Sequence, residues 1–93
     1  IFAIPNGGIR NISTARRLKG EGVLAGVPDL FLPVARGEYH GLFFEVKTEK
    51  GRLSPAQEAI CDYLRAEGYR VEIIRSVEQG LRITKDYLSC KTK

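Results

Sequence analysis

The chain has 93 residues, 43% of them hydrophobic, and carries a formal net charge of +4 at pH 7. Its length excludes more than one small domain, and its hydrophobic share excludes a disordered chain. No run approaches the ~18 apolar residues of a membrane helix, so a soluble intracellular protein with no membrane partner is expected, and the basic balance favours a polyanionic partner.

In chain order, Ile1 to Ile4 reads as a short strand stopped by Pro5-Asn6-Gly7-Gly8. Backbone N–H groups of that segment suit a phosphate, and a tight turn explains it as well. Asn11 or Ser13 is a candidate cap for a short helix through Lys19, ended by Gly20 and Gly22. Asp29 to Val34 and Gly41 to Thr48 then form a hairpin with its tip centred on Gly37. Leu30, Leu32 and Val34 share one face, opposite Asp29, Phe31 and Pro33; Leu42, Phe44 and Val46 oppose Phe43, Glu45 and Lys47. Both faces are largely apolar, which predicts interior strands covered on both sides.

Ser54-Pro55-Ala56-Gln57 opens the longest helix, with Ser54 as N-cap, Pro55 at the first helical position and Gln57 completing a capping box. Its expected apolar stripe is Ala56, Ala59, Ile60, Tyr63 and Leu64, and Gly68 is its stop. Tyr69 to Arg75 reads as a strand. Ser76-Val77-Glu78-Gln79 repeats the capping-box pattern and starts a helix to about Leu88, striped by Val77, Leu81, Thr84 and Leu88. The order β-α-β-β-α-β-α predicts an α/β fold, a mixed sheet flanked by helices. Gly41 to Arg75 should be a right-handed crossover between parallel strands.

The chemistry concentrates on Asp29, Glu45 and Lys47. Glu45 and Lys47 leave the same strand face, and Asp29 and Glu45 lie at equal distances from Gly37. Two carboxylates facing each other across a sheet repel, and a bound divalent cation removes that penalty. A Mg²⁺ or Mn²⁺ ion held by Asp29 and Glu45 would serve phosphodiester hydrolysis, with Lys47 orienting or deprotonating water and offsetting phosphate charge. The blander reading of Glu45 and Lys47 is an exposed ion pair of little worth; their apolar neighbours Phe43, Phe44 and Val46 argue against it. Lys50 and Arg52 follow the triplet, and Arg10, Arg16 and Arg17 follow the Gly7-Gly8 turn, two groups that would clamp a nucleic-acid backbone. His40 reads as a solvated loop residue and Tyr69 as packing, while Tyr39 is free to stack on a base. Cys61 and Cys90 match no zinc spacing and read as reduced thiols, Cys61 on a buried helix face.

Val27-Pro28-Asp29-Leu30 followed by Phe44-Glu45-Val46-Lys47 resembles the PD-(D/E)XK nuclease signature. Ile4-Pro5-Asn6-Gly7-Gly8, Gly26-Val27-Pro28-Asp29-Leu30, Glu45-Val46-Lys47 and Leu53-Ser54-Pro55-Ala56-Gln57, in that order, resemble one branch of it, the virus-type replication-repair nuclease (VRR-NUC) domain. The resemblance spans roughly residues 4 to 76 and implies a restriction-endonuclease-like sheet. It implies the Val46 carbonyl as a third metal oxygen, and Gln57 facing the site to orient Lys47 or a water. It further implies a metal-dependent DNA endonuclease, a homodimer cutting branched DNA such as four-way junctions, of phage or bacterial kind. The alternative is a nucleic-acid-binding module that keeps the fold and no longer cleaves. Members usually carry a further acidic residue on a helix upstream of the Pro-Asn-Gly-Gly segment. Only three residues precede Ile4, and the sequence has no methionine. The expectation is one domain over residues 1–93 without that helix.

Overall fold

The computed structural model of the protein describes residues 2–3 and 26–92. The expected helix after Asn11 or Ser13 lies outside the described residues, as do Pro5-Asn6-Gly7-Gly8, Arg10, Arg16 and Arg17. The remaining elements follow in the expected order: β1 (Phe2–Ala3), β2 (Leu30–Leu32), β3 (Leu42–Val46), α1 (Pro55–Ala66), β4 (Arg70–Ile74) and α2 (Val77–Ser89). They build a four-stranded sheet of order β1-β2-β3-β4, antiparallel across the first three strands and parallel between β3 and β4.

The hairpin ladder is symmetric about Gly37, pairing Leu30 with Phe44, Phe31 with Phe43 and Leu32 with Leu42. Its tip departs from that symmetry. Arg36 and Tyr39 exchange backbone hydrogen bonds across Gly37-Glu38, with Gly37 at φ +56°, the positive φ that a two-residue hairpin turn requires. Three residues therefore separate Leu32 from Arg36 and two separate Tyr39 from Leu42. The extra residue falls at Pro33-Val34-Ala35, where proline has no N–H to give and Val34 N–H turns back to the Leu32 carbonyl at 2.9 Å. The strands are consequently shorter than Asp29–Val34 and Gly41–Thr48.

The alternation within β3 divides two cores. Leu42 and Phe44 pack with Ile74 and Tyr87 on the α2 side; Phe43 packs with Cys61 and Val71 on the α1 side. Phe31 and Phe43, directly opposite in register, stack with ring centroids 4.4 Å apart, and Tyr69 closes edge-on at 5.3 Å from Phe43. Tyr69 is packing, as expected, and both cysteines are free, Cys61 buried and Cys90 exposed.

Both helices depart in part from the expected stripes, although Cys61 and Leu64 face inward as expected. In α1 the sheet side carries Gln57, Cys61 and Leu64, while Ala56, Ala59 and Tyr63 are exposed. Cys61 anchors this face with no exposure, and the 3.6-residue period then brings Gln57 inward one turn earlier. In α2 the inward residues are Gly80, Ile83 and Tyr87, whereas Val77, Leu81 and Leu88 are exposed. Gly80 lies so close to the sheet that a Cβ there would meet Ile74 Cδ1 at 3.0 Å, so the helix seats on its glycine. Val77, Leu81 and Thr84 instead line an open cleft of about 450 Å³ with Leu30, Phe44 and Val46.

The caps explain where α1 begins and ends. Ser54 Oγ accepts from Gln57 N–H at 3.1 Å and Gln57 Oε1 accepts from Ser54 N–H at 2.8 Å, the complete box. At the other end Tyr69 N–H donates to Leu64 and Gly68 N–H to Arg65, with Gly68 at φ +93°, the Schellman arrangement that glycine permits. The second box is only half made. Ser76 Oγ accepts from Gln79 N–H at 3.1 Å, but Gln79 Oε1 takes the N–H of Arg75, at 2.6 Å, and not that of Ser76.

Candidate active site

Asp29 lies one residue before β2. Its N–H donates to the Phe44 carbonyl at 3.0 Å, and its Oδ2 accepts the Val46 N–H at 2.9 Å. The expectation that Asp29 pairs with Glu45 inside the ladder is thus corrected: the ladder ends at Leu30, and the Asp29 carboxylate takes the place of a backbone acceptor for Val46. Lys47 N–H bonds across to Ile74 in β4. N–H and C=O of one strand residue leave by the same edge and alternate along the chain, which puts the Val46 carbonyl on the edge that faces Asp29.

Glu45 points to the α1 side and is only 2% exposed. Its Oε1 has no hydrogen-bond partner among the described residues. Burial, then the charge of Asp29 and a side-chain hydrogen bond with it, push the Glu45 carboxyl from its ordinary 4.5 up to about 7, with Lys47 opposing. Lys47 Nζ stands 3.7 Å from Glu45 Oε2.

Gln57 binds these groups together. Its Oε1 accepts from Lys47 Nζ at 2.8 Å and from Ser54 N–H at 2.8 Å, and its Nε2 donates to Glu45 Oε2 at 3.4 Å. Capping α1 and holding the site residues draw on the same side chain, and one oxygen serves both, because the cap sits directly over the end of β3.

Asp29, Glu45, Lys47 and Gln57 therefore meet on one side of the β3 end, with the Val46 peptide beside them. Lys50 and Arg52 lie exposed in the connection from β3 to α1. His40 is exposed and stands at the opposite, hairpin-tip end of β3, beside Tyr69; Tyr39 packs against Tyr87 there. Two residues shape this region beyond those expected to act in it, one of them the Gly26 that opens the Gly26-Val27-Pro28-Asp29-Leu30 segment. Gly26, at φ +87°, approaches α1 so closely that a Cβ would lie 2.8 Å from the Ala56 carbonyl and the Gln57 nitrogen. Its signal was a glycine three residues before the acid. Arg75 donates through Nη1 to the carbonyls of Thr48, Glu49 and Gly51. Its signal was weaker, a basic residue just past a strand and next to a cap.

No group of three His, Cys, Asp or Glu side chains that could hold a metal occurs among the described residues. Two carboxylates are enough for Mg²⁺, which keeps several waters and demands few protein ligands. The unpartnered, buried Glu45 Oε1 beside a second carboxylate is the kind of oxygen a cation completes, so these residues fit a divalent ion.

No described helix is long and apolar enough to cross a membrane. No curated protein matches the chain. A solved structure described as a VRR_NUC domain protein is similar to it, at 32% identity and a TM-score of 0.78. That likeness covers 85% of this chain and 66% of the other, so this chain spans about two-thirds of its length. The family model for the VRR-NUC domain matches residues 3–78. That stretch contains the Asp29 loop, the β3 end and the α1 cap, and by it the chain belongs to the VRR-NUC domain family, of PD-(D/E)XK type and restriction-endonuclease-like fold.

Proposed function

We propose that the protein is a divalent-metal-dependent DNA endonuclease that acts on branched DNA such as four-way junctions, as a homodimer, inside a bacterial or phage-infected cell. The observation that carries this reading is the buried Glu45 carboxyl, raised to about 7 beside Asp29, with an oxygen left unpartnered. A Mg²⁺ or Mn²⁺ ion, when bound, supplies Lewis-acid polarisation of the phosphate and lowers the pKa of water. Asp29, Glu45 and the Val46 carbonyl are the oxygens that would hold it.

The chain's own residues then divide the remaining work. Lys47 Nζ, held by Gln57 Oε1 at 2.8 Å, offers its ammonium protons to a phosphate oxygen and offsets charge as the pentavalent state develops. Gln57 fixes the lysine by tying it to the first turn of α1, a rigid element. Lys50 and Arg52, with Arg10, Arg16 and Arg17, supply the sequence-independent attraction for the backbone. Junction preference rests on the family resemblance, and paired cuts require two symmetric sites, which a dimer provides.

Cleavage of linear, flapped, forked and four-way DNA with Mn²⁺, against Lys47→Ala, tests the proposal. Nicking that requires metal and Lys47, strongest on the four-way substrate, is expected. Asp29→Asn and Glu45→Gln should abolish cleavage while retaining metal-free DNA binding. The second reading, a binding module that no longer cleaves, is favoured by the count of only two acidic side chains at the site among the described residues. It predicts a DNA shift with no nicking under any metal.

A further inference from the structure

We propose that Arg75 builds a phosphate-binding subsite beside Lys47 by holding the Thr48–Gly51 turn, so that Lys50 and Arg52 face a backbone phosphate next to the scissile one. The inference rests on the reading of the protein as a DNA-binding nuclease and adds to it a positioning residue and a place on the surface.

Arg75 follows the last residue of β4, and its backbone is held there by Gln79 Oε1 at 2.6 Å. Its Nη1 reaches three carbonyls of one turn, Thr48 at 2.6 Å, Gly51 at 2.7 Å and Glu49 at 3.3 Å. The turn closes on itself through Gly51 N–H to Thr48 O, at 3.0 Å. Four polar backbone groups that an exposed loop would leave to water are thereby fixed by one cation and one internal bond. The turn lies hard against the site, since a Cβ at Gly51 would sit 3.5 Å from Lys47 Cβ and 3.0 Å from Thr48 Oγ1.

The result is an open cavity of about 570 Å³ lined by Glu49, Lys50, Gly51, Arg52 and Arg75. Three cations against one carboxylate make it anion-attracting. Lys50, Arg52 and Arg75 are all exposed, and the guanidinium that clamps the turn has further N–H donors for a phosphate oxygen. All three carbonyls converge on Nη1, an atom one bond farther along the side chain than a lysine Nζ, so Arg75→Lys keeps the charge and falls short of the turn, which separates positioning from mere charge.

The test uses the full chain, EDTA, labelled duplex DNA and several salt concentrations. Lys50→Ala/Arg52→Ala should lower the slope of log affinity on log salt by about 1.8, two contacts at about 0.9 each. Arg75→Lys should lower it by a similar amount although no charge is lost. Added to Lys50→Ala/Arg52→Ala, it should change the slope no further. Arg75→Lys binding as the wild type does, or adding fully to the double variant, overturns the proposal. An unchanged slope for Lys50→Ala/Arg52→Ala overturns it too, leaving the nuclease reading to the cleavage assay. Inorganic phosphate titrated into the wild-type protein gives a reading that no variant's folding affects. The amides of Lys50, Gly51, Arg52 and Arg75 should shift together, and their indifference would place the subsite elsewhere.

Discussion

Glu45→Gln should make the metal-free protein more stable at pH 8 than at pH 5 relative to wild type. The Glu45 carboxyl is only 2% exposed and raised from 4.5 to about 7. Its folded pKa lies above its unfolded one, so between those values the folded chain binds the extra proton. Stability is full below about pH 4.5, falls as pH rises, and levels off above about 7. A rise of about 2.5 units corresponds to about 3 kcal/mol, of which about 2.5 kcal/mol is lost between pH 5 and pH 8. Glutamine keeps the shape and cannot ionise, so it does not suffer this loss, although it leaves Lys47 without its partner at 3.7 Å. Urea denaturation with EDTA, followed by circular dichroism at both pH values, measures the difference between the two proteins, in which contributions remote from position 45 cancel. A difference that stays constant from pH 5 to pH 8 would refute the picture of a carboxylate kept charged at a cost.

Mn²⁺ at pH 8 should stabilise the wild-type protein by about 2.7 kcal/mol at a hundredfold excess over its dissociation constant, read as a raised urea midpoint, and leave Glu45→Gln unmoved; an equal rise in both would put the ion elsewhere. Gln57→Ala should cost about 1 kcal/mol through the lost cap, and its cleavage rate should fall further than that loss of stability accounts for, because Lys47 loses its acceptor at 2.8 Å. Gly26→Ala should destabilise by about 1–3 kcal/mol, since its φ is +87° and a Cβ would press on the α1 backbone; a melting temperature equal to wild type would disprove that close approach.

How far the sequence reveals this molecule depends on which physical signal each residue carries. The β2–β3 register is legible because alternation allows no one-residue slip without turning Phe31 and Phe43 away from α1, and the position of Gly37 fixes the centre. The α1 caps are legible because Ser54, Gln57 and Gly68 act locally. Stripes were harder. Counting apolar letters missed Gly80, whose lack of a side chain is what lets α2 seat, and it passed over Tyr87, whose hydroxyl donates to the Val34 carbonyl at 2.6 Å. Apolar letters alone place Ala59 and Tyr63 inward, where Gln57 goes beside Cys61, the one residue of that face whose burial was expected along with Leu64. Asp29, Glu45 and Lys47 stood out through spacing, but nothing local announces that Arg75, 24 or more residues away, would gather the Thr48–Gly51 turn.

The hairpin tip has a consequence in time. Gly37 N–H donates to the Lys91 carbonyl at 2.7 Å, Arg36 bridges to Thr92, and the bulged arm is anchored by Tyr87. The inner ladder from Leu30 to Phe44 is made of near neighbours, which close early. Gly37 and the bulged arm of the same hairpin, by contrast, take their partners from residues synthesised more than 50 positions later. On the ribosome, at ~5–20 residues per second, the inner ladder has seconds to form while the arm and Gly37 wait. A nascent chain ending before Tyr87 should therefore protect the Leu32 and Leu42 amides from exchange and leave that of Gly37, whose acceptor is the Lys91 carbonyl, open.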